Sequence, residues 1–206
     1  MRSAIWYFDF ISPFAYICLH RLKELPADLG IEYRPVLFAG ILNHWGQKGP
    51  AELPTKRRYS YRWSHWWAQS LGLPLRYPAA HPFNPLHHLR LAIACGSKPE
   101  AIRAIFDDIW TTGADPSDAA RFATLAKRLG ASGDDPEAKN VLRRNTDDAI
   151  QRGVFGVPTF EVDGELFWGA DSIGFLKDYL NNPSVLKNEE MQRLDALPAA
   201  AVRRTS

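Results

Sequence analysis

Ile5-Trp6-Tyr7-Phe8-Asp9-Phe10-Ile11-Ser12-Pro13-Phe14-Ala15-Tyr16 is the stretch on which the reading of this chain turns. Residues 4–10 are rich in aromatic and β-branched types, as a buried strand requires. Ser12-Pro13 then marks a helix start. Serine is a favoured N-cap, and proline at the first helical position gives up no hydrogen bond. The spacing predicts a helix to about Leu25, stopped near Pro26 and Gly30, and a second strand over residues 31–38. The opening is therefore β-α-β, compatible with a parallel pair and a right-handed crossover.

Beyond residue 39 the pattern turns helical, with five helices expected over about 54–71, 84–96, 99–112, 117–129 and 136–152, and no convincing strand. Two short runs, 159–162 and 165–168, then flank Asp163-Gly164, a strong two-residue hairpin signal. A sheet-packing helix is expected from Asp171, where Asp171 or Ser172 can cap it, to about Leu180. One short helix is expected in the tail, over 184–194. The order β-α-β, helices, β-β-α predicts an α/β chain with a thioredoxin-like fold and a large all-helical insertion. The predicted division is a discontinuous thioredoxin-like domain (1–38 and 153–182), an inserted helical domain (39–152) and a C-terminal tail (183–206).

The 206 residues suffice for one good core, and 46% apolar content is ordinary for a globular protein. A net charge of +2 gives no reason to expect a nucleic-acid partner. The basic triplet Lys56-Arg57-Arg58 reads as a solvated helix face. No apolar run approaches a membrane span, and the N-terminus lacks the apolar core of a signal peptide. The two cysteines, Cys18 and Cys95, show no pairing pattern, so a reducing, cytoplasmic setting is expected. His87-His88 are adjacent and point to different faces, a poor metal pair, and no metal site is expected.

Ser12 sits where backbone N–H groups and the helix dipole favour negative charge. A redox protein would place a cysteine there and another three residues on. Ser12-Pro13-Phe14-Ala15 carries no sulfur, so disulfide exchange at this position is excluded. A hydroxyl there either caps its helix or donates a hydrogen bond to a thiolate from outside. Such a bond contributes roughly 1.5–3 kcal/mol, equivalent to about one to two units of thiol pKa. Val157-Pro158, in Gly153-Val154-Phe155-Gly156-Val157-Pro158-Thr159-Phe160, reads either as an ordinary turn or as a cis bond. A cis bond would offer the Val157 backbone to an antiparallel peptide. Trp168-Gly169-Ala170-Asp171 leads into the last helix, where a carboxylate or an amine can be held.

These three segments together resemble 2-hydroxychromene-2-carboxylate isomerases and are similar to kappa-class glutathione transferases, families with a DsbA-like thioredoxin fold. The likeness spans about residues 4–180. It implies glutathione as cofactor, with Ser12 on the sulfur, Val157 and Pro158 along the cysteinyl backbone, and Trp168, Gly169, Ala170 and Asp171 around the γ-glutamyl end. It implies a homodimer and a small aromatic substrate. The activity implied is isomerisation of an aromatic or conjugated α-keto acid, with transfer to glutathione, or thiol-peptide binding without catalysis, as alternatives. In the isomerase the thiolate is thought to add to a conjugated side chain, which rotates and closes its ring as the thiol leaves.

The chain departs from the family at Asn43, where a lysine is frequent, at Gln47 and at Ser172. His81, Asn84 or Arg90 can stand in for the missing cation or give a proton; equally, Asn84 can simply bond its own backbone at a helix start. Tyr59, Tyr61, Trp63, Trp66 and Trp67 read as core, as a dimer seam, or as an apolar wall for a flat substrate.

Overall fold

The computed structural model describes residues 2–201. Strand β1 (Ser3–Phe8) lies at the centre of a four-stranded mixed sheet of order β2-β1-β3-β4. It pairs in parallel with β2 (Gly30–Pro35) and antiparallel with β3 (Thr159–Val162), which pairs with β4 (Glu165–Trp168). Trp6, Tyr7 and Phe8 are fully buried, so both faces of β1 are covered. Trp6 and Phe8 face the main core, where Phe10, Phe106 and Phe160 close around them. Tyr7 faces a smaller cluster with Val36, Ile41, Val154 and Val157.

Helix α1 (Pro13–Arg21) starts at Ser12, as the Ser-Pro pair predicts, and a 3-10 turn, Leu22–Glu24, completes its expected length. The hairpin turn falls on Asp163 and Gly164, both with positive φ (54° and 87°), which is the backbone this turn demands. The second strand ends earlier than expected. Pro35 closes β2, and Phe38 already opens a helix, α2 (Phe38–Trp45). That helix is absent from the expected five. It begins at Leu37, which makes no side-chain cap, so no polar start signal marks it.

The remaining helices fall where their periodicity places them: α3 (Pro54–Ser70), α4 (Leu86–Ala94), α5 (Pro99–Trp110), α6 (Ala119–Leu129) and α7 (Pro136–Gln151). A 3-10 turn, Ala170–Ser172, precedes α8 (Ile173–Asn181). The tail holds a 3-10 turn, Pro183–Leu186, and α9 (Glu189–Asp195) rather than one continuous helix. The architecture is α/β, a DsbA-like thioredoxin fold with helices inserted between β2 and β3. Among the described residues no helix is long and apolar enough to cross a membrane.

Candidate active site

Ser12 follows the C-terminal end of β1, and Val157 precedes the start of antiparallel β3. The pairing Tyr7↔Thr159 therefore brings both to one end of the sheet although they are far apart in sequence. Ser12 is nearly buried (7% exposed). Its Oγ accepts the Ala15 N–H at 3.2 Å, the cap the sequence predicts. The hydroxyl proton donates to no described residue and remains available. Capping and donation to an outside acceptor are thus compatible roles for one oxygen.

The turn that carries Ser12 is fixed by two side chains, one buried and one half-buried. Asp9 is fully buried, and no cation among the described residues pairs with it. Its Oδ1 accepts the Ile11 N–H at 3.0 Å and its Oδ2 the Phe38 N–H at 2.9 Å. One carboxyl thus ties the Ser12 turn to the start of α2. Burial pushes this carboxyl up to about 7, against the opposing pull of its backbone donors. Nothing in the sequence singles Asp9 out. A lone acid after a strand is ordinary, and its partner on Phe38 lies 29 residues away.

His81 is the second. Its Nε2 lies 2.8 Å from the Ile11 carbonyl, which can only accept, so Nε2 carries the proton. Its Nδ1 then accepts from the Tyr61 hydroxyl at 2.6 Å, which also lies 2.8 Å from the His81 carbonyl. Burial holds the imidazole below its ordinary pKa, and Arg57 adds to this. With both nitrogens engaged and the ring neutral, His81 is a clamp on the Ser12 turn and not an open cation. We expect His81→Ala to lower kcat by about tenfold, consistent with a small misplacement of a catalytic group, while glutathione affinity stays within about twofold. Single-turnover kinetics beside a glutathione titration check this.

The facing turn is fixed at three carbonyls. Trp45 Nε1 donates to Val154 O at 2.9 Å, Thr159 Oγ1 to Gly156 O at 2.7 Å, and Gly169 N–H to Pro158 O at 2.8 Å. Val157-Pro158 is cis. Neither the N–H nor the C=O of Val157 bonds to a described residue. A rigid turn with one free donor and one free acceptor side by side fits the backbone of an extended peptide. A Cβ on Gly156 would lie 2.5 Å from Trp168 Nε1, so the indole seals this turn at a glycine.

Trp168 is half exposed, with Phe155 edge-on at 5.2 Å. The following loop is held by Arg21, whose guanidinium donates to Ala170 O at 2.7 Å, forks onto Glu24 and lies over the Trp67 ring. Asp171 is exposed, and its carboxylate accepts from no described residue. Neither Asp171 nor Ser172 caps α8 through its side chain, contrary to expectation; Ser172 Oγ turns back to Gly169 O at 2.8 Å. This leaves the exposed Asp171 carboxylate available to an amine, such as that of a γ-glutamyl group. The free Ser12 hydroxyl, the unpaired Val157 backbone and this loop together fit glutathione.

The other candidates are dispersed. Asn43 is exposed on α2. Asn84 Oδ1 accepts the Leu86 N–H at 3.1 Å, the bland alternative of a residue bonding its own backbone. Arg90 has a sealed Nε without a hydrogen-bond partner, and no hydrogen bond or ion pair among the described residues joins it to the Ser12 turn. On α3, Tyr59 (66% exposed) and Trp66 (63%) are not core, while Trp63 stacks between Tyr59 and Trp67 and meets Phe14 at 5.1 Å. Cys18 is fully buried with its thiol pushed far up by desolvation, an inert group. We expect Cys18→Ala to leave glutathione binding and turnover within about twofold and to cost roughly 1 kcal/mol of stability, read by parallel assay and denaturation.

A chain with this sheet, this serine at the helix entrance and this cis-proline turn belongs to the DSBA-like thioredoxin domain family, whose model matches residues 5–181. Within it, the chain is 33% identical to a 2-hydroxychromene-2-carboxylate isomerase of Sphingobium xenophagum, over 87% of this chain and 98% of that one. It is 27% identical to glutathione S-transferase kappa 2 of Caenorhabditis elegans, over 86% and 91%. A solved 2-hydroxychromene-2-carboxylate isomerase superposes with a TM-score of 0.75 at 26% identity, covering 95% of this chain and all of that one.

Proposed function

We propose that this chain is a glutathione-dependent isomerase of an aromatic or conjugated α-keto acid. The observation that carries the reading is the spare Ser12 O–H, opposite an unpaired Val157 backbone. When bound, glutathione supplies a thiolate that adds reversibly to a conjugated carbon. The chain's own residues do the rest. Ser12 donates to the sulfur and keeps it ionised near neutral pH. Val157 pairs with the cysteinyl backbone, and the 168–171 loop holds the γ-glutamyl ends. Phe14 and Trp63, tilted at 47° and 5.1 Å apart, form an apolar wall beside the sulfur position. No protein sulfur takes part, which agrees with the buried Cys18.

The reaction is tested by supplying 2-hydroxychromene-2-carboxylate and glutathione. The expected result is an isomer formed at constant free thiol. A second reading, transfer to glutathione, is favoured by the likeness to kappa-class relatives. It predicts an adduct that accumulates as thiol is consumed. Tight glutathione binding without turnover of any conjugated ketone would mark a thiol-peptide binder instead. The reading includes a homodimer, which sedimentation tests directly.

A further inference from the structure

Helix α3 carries Lys56, Arg57, Arg58 and Arg62 and no acid. Three of these cations stand in its opening turns, where the helix dipole is already positive. Its start has no side-chain cap, and the nearest acid, Glu52, is turned onto Gly49 N–H at 2.6 Å. The arrangement lacks a structural counter-charge.

Two contacts fix how α3 lies on α1. Trp63 meets Phe14, near the start of α1, and Trp67 lies over Arg21 at its end. The helices therefore run in the same direction, and residues before Trp63 project past the entrance of α1. Tyr61 confirms the level, since its hydroxyl meets His81, which holds the Ile11 carbonyl next to Ser12. Arg57 is one turn further on, roughly 6 Å along the axis.

Arg57 also has the right phase. Arg57, Tyr61, Ser64 and Ala68 stand at i, i+4, i+7 and i+11, one face of a helix. Ser64 and Ala68 are fully buried, and Tyr61 is half-buried. The same stripe ends in an exposed Arg57, so its guanidinium is reachable from solvent on the side of α3 that faces the body. Its guanidinium enters no ion pair among the described residues. Its charge nonetheless acts on both His81 and Tyr61.

We propose that Arg57 is the specificity-determining cation of this site, receiving the carboxylate of an aromatic acid whose ring lies on the Phe14–Trp63 wall. The assignment rests on the reading of Ser12 as the thiol site. It replaces the roles expected of Asn43, Asn84 and Arg90, none of which is joined to the Ser12 turn by a hydrogen bond or ion pair among the described residues. Guanidinium suits the task because it forks onto a carboxylate with two parallel bonds.

The test reads binding rather than turnover, so its failure is separate from a failure of the isomerase assignment. Glutathione-loaded protein is titrated calorimetrically with trans-cinnamate and with its neutral amide. Wild type is expected to prefer the carboxylate by at least tenfold. Arg57→Gln should lose that preference, Arg57→Lys should keep part of it, and Arg62→Gln, on the opposite face of α3, should keep all of it. Equal binding of acid and amide by wild type, or an undiminished preference in Arg57→Gln, overturns the proposal.

Discussion

Ser12→Ala is expected to raise the pKa of bound glutathione by about one to two units. The free thiol titrates near 8.5, and a hydrogen bond to its charged form brings it close to neutral. Removing the donor returns most of the sulfur to the protonated state at pH 7. Turnover there should fall by roughly eightfold to twenty-five-fold, in line with the lost thiolate fraction, recovering toward pH 9 as the thiolate forms unaided. The same change removes the cap on Ala15, at about 1 kcal/mol of stability. Ser12→Gly separates the two effects, because glycine is a tolerable cap but no donor. Thiolate absorbance against pH is the measurement, and a titration that overlays wild type would falsify the role given to the hydroxyl.

Asp9→Asn should change how stability depends on pH. The folded-state pKa of about 7 lies above the ordinary 3.8. The folded protein therefore holds this proton more tightly than the unfolded chain does. Its contribution is fully present below about pH 4 and is lost as pH rises through about 7. Three units correspond to about 4 kcal/mol. Asparagine does not titrate, so the variant should lose this fall between pH 4 and 8. It should be less stable than wild type at pH 5, where one of the Ile11 and Phe38 N–H groups loses its acceptor. Urea denaturation at pH 5 and pH 8 reads both effects. An unchanged difference between the two pH values removes Asp9 as the titrating group.

The legible parts of this fold are those written in adjacent residues. Ser12-Pro13 announces a helix, and Asp163-Gly164 announces a hairpin, because each pair meets a local backbone requirement. Helix α2 escapes because it starts at an uncapped leucine and holds Gly40, a poor helix former. The clamp on Ser12 escapes for another reason: His81 and Ile11 lie 70 residues apart, and only the packing of α3 and the 81–85 segment brings them together. The aromatic run on α3 offers core, seam and wall as alternatives, and exposure decides among them: Tyr59 and Trp66 are open, and Trp63 turns to Phe14. Arg57 hides inside a basic triplet of ordinary appearance, and its phase matters only once the direction of α3 along α1 is known.

The order of strands has a consequence for biosynthesis. β1 lies beside β3, yet the ribosome makes more than 140 residues between Tyr7 and its partner Thr159. Until then a nascent chain exposes one flank of Trp6-Tyr7-Phe8, an apolar edge that invites association with other chains. Truncation before residue 159 should therefore yield insoluble material, not an inactive folded remnant. The proposed thiol site, which needs Val157 opposite Ser12, would be completed only by the last quarter of the polypeptide, after every inserted helix has been made.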